Sequence, residues 1–397
     1  MNNRVRKILT VIALSGFGLL TTAQNHSHFF LKGVAALMQK QYTESVYLLG
    51  EAIRLNNTDE KYFLKRAEAF YNLGQYNEAI SDYSEANSLK AEIADYGLAR
   101  VYAQTGDFKN AILYLTRHLE SEYRNPSSVI KKDPAFEQLK YTDEWHDLWQ
   151  KEWYDNFDKI TEEAEYYLGK GKLESALEYV NNNFSGYQKE PGYYALRARI
   201  YAMKENYASA IADYSTAISL NKNVPAFYFN RGMAYLKAEK YKNAVDDFTK
   251  GLKISPENFE YYINRAQAFA GLSDYSSAIK DAAYYLEFFN DDQQAIFSCG
   301  EYYYQNADYL NALKYFNKNL KNDPSNPEYY KARGKTYLQT KTFNYAINDL
   351  AMSLDLKPDD GETYLYMGLA KYETGNKDEA CSDFQKAIRL GNKMALK

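Results

Sequence analysis

Bulky rings and very small side chains follow one another in a fixed order along most of this chain. The stretch Ala226–Pro256 predicts two short helices, joined by a tight turn at Glu239 and Lys240 and ended by Pro256. Its small residues and its rings are Gly232, Ala244, Gly251, Tyr228, Tyr235, Tyr241 and Phe248. Nearly the same pattern returns 34 residues later, and self-similarity at a fixed period indicates a repeat architecture.

Small residues mark the point where the two helices of each repeat are expected to cross. In the first helix every one of them is Gly or Ala: Gly33, Ala67, Ala99, Ala164, Ala198, Gly232, Ala266, Gly300, Gly334 and Gly368. In the second helix they are Ser45, Ala79, Ala111, Ala176, Ala210, Ala244, Ala278, Ala312, Ala346 and Ala380. A larger side chain at such a crossing would push the two backbones apart.

Rings at two further offsets are expected to fill the space between helices. Three residues after the first small position stand Phe70, Tyr102, Tyr167, Tyr201, Tyr235, Phe269, Tyr303 and Tyr337. The second helix opens with Tyr42, Tyr76, Phe108, Tyr207, Tyr241, Tyr275, Tyr309 and Phe343. One helix pair cannot bury both of its faces, so the pairs are expected to stabilise one another by stacking.

These offsets closely resemble the tetratricopeptide repeat, a helix–turn–helix unit of 34 residues with a closing proline. The resemblance implies an all-α fold, a right-handed α-solenoid of about ten units. The predicted units are 26–59, 60–91, 92–124, 157–190, 191–224, 225–258, 259–292, 293–326, 327–360 and 361–392. Such a resemblance is strong for fold and weak for function, because repeats of this kind bind unrelated partners.

The register breaks between the third and fourth units, where residues 125–156 form a predicted helical insert. Pro126 and Pro134 stop helices. All three tryptophans, Trp145, Trp149 and Trp153, stand here at a spacing that would place them on one helical face. They predict either an aromatic docking surface or, as we favour, packing of the insert onto the repeats. The resulting domains are an N-terminal array, 24–124, the insert, a C-terminal array, 157–392, and a tail, 393–397.

Residues 1–23 have the pattern of a secretory signal peptide. Basic residues near the start precede an apolar run, Ile8–Leu20, and small residues end at Ala23. That run is shorter than the roughly 20 residues of a membrane-spanning helix, which disfavours an uncleaved anchor. We therefore expect an exported protein of a bacterial cell envelope, periplasmic or otherwise extracytoplasmic. Cleavage would expose Gln24, Asn25 and His26, a possible Cu(II) or Ni(II) site, although a flexible terminus is the favoured interpretation.

Composition and charge narrow the classes of partner. Removing residues 1–23, which hold three basic and no acidic side chains, leaves 45 basic and 52 acidic ones. This balance argues against nucleic acid, whose binding requires clustered positive charge. The 41 tyrosines suit a helical array that fills its gaps with amphipathic rings. After cleavage no segment is apolar enough to span a membrane, and the oligomeric state is left open.

No pattern of catalytic, metal-binding or cofactor-binding residues stands out. The four histidines form no HExxH, and there is no CxxC, no GxSxG and no phosphate-binding loop. We therefore predict that the protein is not an enzyme, with no catalytic residues, no metal and no cofactor.

The resemblance places partner binding in an inner groove lined by the first helix of each unit. Carried over to this sequence, the groove residues are Phe229, Asn230, Met233, Leu236, Ile263, Asn264, Gln267, Phe297, Glu301, Tyr304, Lys331 and Lys335. An apolar floor edged by amide and basic groups suits an extended peptide or a partner helix. The alternative is that several of these side chains contact the neighbouring unit. The function expected is a protein-interaction scaffold, or else a periplasmic chaperone or a peptide-binding component of a secretion or surface-assembly machine.

Overall fold

The computed structural model describes residues 22–392 and 394, with side chains from Asn25 onward. All regular elements within these ranges are helical. The predicted all-α fold, with its paired helices and its helical insert after the third pair, is confirmed. The predicted signal peptide lies outside the described residues except for the backbone of Thr22 and Ala23, and the predicted tail lies outside them except for Met394.

The chain divides into two compact units, residues 1–166 and 167–397. In the first unit the helices are α1 Thr22–Met38, α2 Tyr42–Leu55, α3 Glu60–Asn72, α4 Tyr76–Leu89, α5 Asp95–Gln104, α6 Phe108–Glu120, α7 Ser127–Lys132 and α8 Asp143–Leu148. Helix α9, Asn156–Gly169, crosses the boundary between the units.

The second unit continues with α10 and six helix pairs. The bounds are α10 Leu173–Asn182, α11 Pro191–Met203, α12 Tyr207–Leu220, α13 Pro225–Lys237, α14 Tyr241–Ile254, α15 Glu260–Gly271, α16 Tyr275–Leu286, α17 Gln293–Gln305, α18 Tyr309–Asn322, α19 Pro327–Gln339, α20 Phe343–Leu356, α21 Gly361–Glu373 and α22 Lys377–Arg389. In the pairs from α11–α12 to α21–α22 the two helices pack on each other, and the second helix of each pair but the last also packs on the first helix of the next pair.

Close approach at the predicted small residues allows the helices of a pair to pack. Gly232 of α13 lies under the ring of Phe248 in α14, and a Cβ added there would come within 2.8 Å of that ring. Gly300 stands in the same way against Phe316, at 2.6 Å. Ala244, in the facing helix, is fully buried. A larger side chain at these positions would force the helices apart, as the sequence pattern implied.

The turn between the helices of a pair has a fixed shape that does not depend on glycine. Glu239, between α13 and α14, has φ of 56°, and the Lys240 N–H donates to Tyr235 O at 2.8 Å. Lys341 and Ala307 take the same left-handed conformation in later turns. A left-handed residue after the last turn satisfies carbonyl groups at the helix end.

The insert is less regular than its tryptophan spacing predicted. Helix α7 is followed by 3-10 turns at Pro134–Phe136 and Leu139–Tyr141 and by the short helix α8. Because α8 ends at Leu148, the continuous helical face expected for the three tryptophans does not form. Trp145 lies in the helix, whereas Trp153 lies in the segment between α8 and α9.

In the described part of the chain, no helix combines the length and the apolar character needed to cross a bilayer.

Candidate functional site

The predicted groove residues lie on the first helices of four consecutive pairs in the second unit. Helix α13 carries Phe229, Asn230, Met233 and Leu236; α15 carries Ile263, Asn264 and Gln267; α17 carries Phe297, Glu301 and Tyr304; α19 carries Lys331 and Lys335. Most are half-buried, Leu236 is buried, and Gln267 is exposed.

The two phenylalanines among the groove residues contribute to packing between repeats. Phe229 lies 4.9 Å from Tyr261, edge to face, and 6.0 Å from Phe248, measured between ring centroids. Phe297 lies 5.3 Å from Tyr329 of the next pair. These contacts fit the alternative that several groove residues touch the neighbouring unit.

A recess of about 120 Å³ opens between α15 and α17, where two groove residues come together. Its lining residues are Glu260, Ile263, Asn264, Tyr285, Asp292, Gln294, Ala295 and Ser298. Asn264 donates one amide hydrogen to the carbonyl of Glu260 at 2.7 Å, which leaves its amide oxygen as an acceptor. The recess therefore combines an apolar side chain, Ile263, with an amide that can hydrogen-bond a peptide backbone.

Both groove lysines are held in ion pairs. Lys331 Nζ lies 2.6 Å from Glu328, 2.9 Å from Asp360 and 3.3 Å from Glu362. Lys335 Nζ is 3.6 Å from Glu362 and lies over the ring of Tyr366. Their charge is therefore compensated within the protein, and the groove does not present two free cations.

Glu301 has a different environment from the paired acids. Among the described residues it forms no hydrogen bond or ion pair. Burial raises the pKa of its carboxyl group, and the charge of Lys335 opposes this shift. This part of the groove therefore carries an acid without a direct partner rather than the basic edge that Lys331 and Lys335 suggested.

A ladder of arginine–aspartate pairs, absent from the sequence-based expectations, connects the repeats. Arg231 Nε and Nη2 donate to the two carboxylate oxygens of Asp247, both at 2.7 Å, and its Nη1 donates to Ser215 in the preceding pair at 2.9 Å. The other bidentate pairs are Arg66–Asp82, Arg197–Asp213, Arg265–Asp281 and Arg333–Asp349. The signal was available in the sequence: each arginine directly precedes a small residue, and each aspartate follows 16 residues later.

One repeat of the second unit replaces this pair with less polar groups. At the equivalent positions of α17 and α18 stand Cys299 and Tyr315, which pack in the same hydrophobic cluster. Cys299 is fully buried, and burial raises the pKa of its thiol to about 11. This repeat therefore has neither the arginine clamp nor a reactive thiolate.

The tryptophans of the insert pack against the third helix pair, as favoured in the sequence analysis. Trp145 is 7% exposed and lies 5.8 Å from Phe136, between ring centroids. Trp153 donates its indole N–H to Leu148 O at 2.7 Å. Trp149 packs against the same cluster but remains half-buried.

His118 is a buried polar group beside the insert. It is 3% exposed, and its Nε2 accepts a hydrogen bond from the backbone N–H of Asn125 at 3.0 Å. This bond requires a neutral ring nitrogen at Nε2. Burial lowers the pKa of His118 to about 4, so the ring is neutral near pH 7.

Candidate metal ligands do not cluster in the described part of the chain: no group of three or more His, Cys, Asp or Glu side chains could hold an ion. His26 Nδ1 lies 2.7 Å from the hydroxyl of Tyr62. The possible amino-terminal copper or nickel site depends on cleavage after Ala23 and stays a prediction.

Comparisons with known proteins agree with this architecture. Models of the tetratricopeptide repeat match residues 64–127, 198–239, 225–258 and 362–390. The C-terminal part of a TPR repeat-containing protein from Cytophaga hutchinsonii has a similar fold, with a TM-score of 0.51 and 19% identity, over 59% of this chain and 98% of that one.

Two curated relatives each match about half of this chain. DnaJ homolog subfamily C member 3 of Gallus gallus is 25% identical over 51% of this chain and 45% of its own length. Hsp70-Hsp90 organizing protein of Triticum aestivum is 24% identical over 48% of this chain and 34% of its own length. This chain thus spans less than half of either relative. The 34-residue period, the crossing geometry and the matching models together identify tetratricopeptide repeats in this chain.

Proposed function

We propose that this protein is a non-enzymatic interaction scaffold of the bacterial cell envelope. It holds an extended peptide or a partner helix on α13, α15, α17 and α19, the first helices of four consecutive pairs. The recess between α15 and α17 is the observation that carries the proposal, since it joins an apolar floor to the free amide oxygen of Asn264.

Two further features support this assignment. Gln267 is exposed on the same helix as the recess, and it offers both a donor and an acceptor to a bound backbone. The unpaired carboxyl of Glu301 on α17 favours a segment with a positive charge at that point. Envelope location rests on the signal-peptide pattern of residues 1–23, and amino-terminal sequencing of protein from the native host would test it by finding Gln24 first.

A site-specific crosslinker separates this groove from the rest of the surface. A photoreactive side chain at Gln267, introduced in the native host, should capture one partner at equal stoichiometry, and the crosslink should map to one short segment. The matched control is the same side chain at Leu310, which is 80% exposed on the second helix of a pair. Equal capture from both positions, or none from Gln267, would contradict the groove.

The second candidate is a periplasmic chaperone or a peptide-binding component of a secretion or surface-assembly machine. The names of the curated relatives, which include an Hsp70-Hsp90 organizing protein, favour it. The crosslinking experiment distinguishes the two functions. Many unfolded clients attached at Gln267 would indicate the chaperone, whereas a single folded partner would indicate the scaffold.

A further inference from the structure

A second recess lies on the insert in the first unit, far in sequence from the groove residues. Its volume is about 390 Å³, within the range of small-molecule sites. Its lining residues are Lys131, Lys140, Trp145, His146, Trp149 and Gln150. Two cations, two indoles, an imidazole and an amide thus face one space, and none of the lining residues is acidic.

Three of the residues that line this recess carry a polar group that forms no hydrogen bond or ion pair among the described residues. Lys131 forms no ion pair, and its Nζ lies 4.3 Å from the centroid of the Trp149 ring. The indole N–H of Trp149 is buried and has no hydrogen-bond acceptor. The ring of His146 is exposed and forms no hydrogen bond. A buried donor without an acceptor is unfavourable, so the packing of Trp149 leaves this part of the insert incompletely satisfied.

The charges around the recess set the class of ligand. Lys140 is already paired, with its Nζ 2.6 Å from Glu137, so Lys131 supplies the uncompensated positive charge. Asp143, Glu144 and Asp147 are exposed on α8, the helix that also carries Trp145 and His146, and they disfavour a dianion such as phosphate. The single ammonium group of Lys131 matches the charge of one carboxylate.

The indoles set the shape of the rest of the ligand. Trp145 and Trp149 meet edge to face at 5.6 Å, and they give the recess an apolar wall beside the cation. A carboxylate with a ring-sized apolar body would cover this wall while its oxygens reach Lys131. A small hydrophilic acid such as acetate would leave the wall exposed.

We propose that the insert binds an organic carboxylate with an apolar body in the recess between Lys131, Trp145 and Trp149. The proposal is independent of the groove. The same chemistry is offered by a free aromatic acid and by the end of a peptide whose last residue is apolar. In either case the carboxylate accepts from Lys131, and the apolar part lies on the indoles.

The protein contains its own reporter for this site, because all three of its tryptophans stand in the insert. The full chain is titrated with N-acetyl-L-phenylalanine, which lacks an indole, under selective excitation of tryptophan. A saturable change in emission is expected, and the neutral N-acetyl-L-phenylalaninamide should bind at least about tenfold more weakly because it lacks the charge. Equal binding of acid and amide would overturn the carboxylate assignment, as would tighter binding of inorganic phosphate.

Matched variants show where the acid binds. Lys131→Met should weaken its binding by about tenfold or more, whereas Lys132→Met should leave it unchanged, because Lys132 is exposed and lines a different recess with Arg100. Circular dichroism of both variants verifies that the helices form. If Lys131→Met folds and binds as the parent does, the proposal is wrong. A peptide of glycine and serine that ends in phenylalanine distinguishes the sources: binding tighter than that of the acetylated residue identifies a peptide end, and equal binding identifies a free acid.

Discussion

Removing the charge of Asp247 tests the arginine–aspartate ladder most directly. Asp247 is buried within α14, and both of its carboxylate oxygens accept from Arg231. The substitution Asp247→Asn keeps the size of the side chain and removes the charge. Arg231 then keeps Ser215 and one amide oxygen as acceptors, but it loses its charged partner, and one of its N–H groups faces the new amide NH2 instead of an acceptor.

The structure gives the magnitude of the expected loss. The side chains of Arg231 and Asp247 are 13% and 3% exposed, so the orphaned guanidinium cannot be fully hydrated where it stands. Removing one partner of a buried pair typically costs about 3–5 kcal/mol. Because Arg231 keeps Ser215 and some contact with water, we expect the lower end, about 3 kcal/mol, in the local free energy of unfolding.

Hydrogen exchange is the suitable assay, because repeats unfold locally and a single global transition is not assured. Amide protons of α13 and α14 should exchange roughly a hundredfold faster in Asp247→Asn, since each 1.4 kcal/mol is a factor of ten. The control is Glu68→Gln, which removes the exposed ion pair with Lys65. It should change the local free energy of unfolding, as derived from exchange of the amides around it, by less than about 1 kcal/mol.

The double variant Arg231→Met with Asp247→Leu separates a lost charge partner from lost packing. Its destabilisation should be smaller than the sum for Arg231→Met and Asp247→Leu, with a coupling energy of at least about 2 kcal/mol. If Asp247→Asn exchanges no faster than Glu68→Gln, or if the single effects simply add, the ladder is a surface feature and the reasoning fails.

Three further outcomes are expected. The pKa of His118 is about 4 in the folded protein and about 6.5 unfolded, so it contributes stability that is present above pH 6.5 and lost as the pH falls toward 4. Urea unfolding of the insert, followed by tryptophan emission, should lose about 2 kcal/mol between pH 7 and pH 5, and His118→Gln should remove that component of the pH dependence. Gly232→Ala should destabilise by about 1–3 kcal/mol, because Phe248 is fully buried and cannot yield, whereas Gly169→Ala meets open space and should be tolerated; thermal unfolding of the two variants compares them. Trp145 is buried, so the free protein should show blue-shifted emission, and a spectrum of fully hydrated indole would contradict the packing of the insert.

Much of the repeat fold could be predicted because its determinants are local and periodic. A glycine such as Gly232 is required by one crossing partner, Phe248, at a constant distance along the chain. The same contact occurs at Gly300 and Phe316. Because each repeat carries the pattern again, the boundaries of one repeat can be predicted from those of its neighbours.

The insert was harder to predict because its shape depends on contacts outside any repeat. A spacing of four between tryptophans indicates a helix only if the backbone stays helical, and α8 ends at Leu148. Beyond it Trp153 is fixed by a hydrogen bond to Leu148 O, which periodicity does not encode. The spacing therefore identified an aromatic cluster but not its geometry.

The candidate groove shows a different limit of sequence reasoning. Lys331 was correctly assigned to the first helix of its repeat, but its charge is compensated by Asp360, which comes from the loop before α21. A sequence offset gives the helix on which a residue lies, but it does not show which acids the next repeat brings to it. The electrostatic character of the groove thus emerges only from the packed pairs.

The arginine ladder also gives several repeats the same contact with the repeat before them. Arg231, Arg265 and Arg333 reach back to a side-chain oxygen of the preceding pair, and the acceptors, Ser215, Thr249 and Asn317, share an offset rather than an identity. Excision of residues 225–258 would place Arg265 where Arg231 now stands, opposite Ser215, and Asp281 would move with it. Gene duplication or loss in whole periods can therefore lengthen or shorten such an array, and each new junction between repeats that carry the arginine keeps its hydrogen bonds.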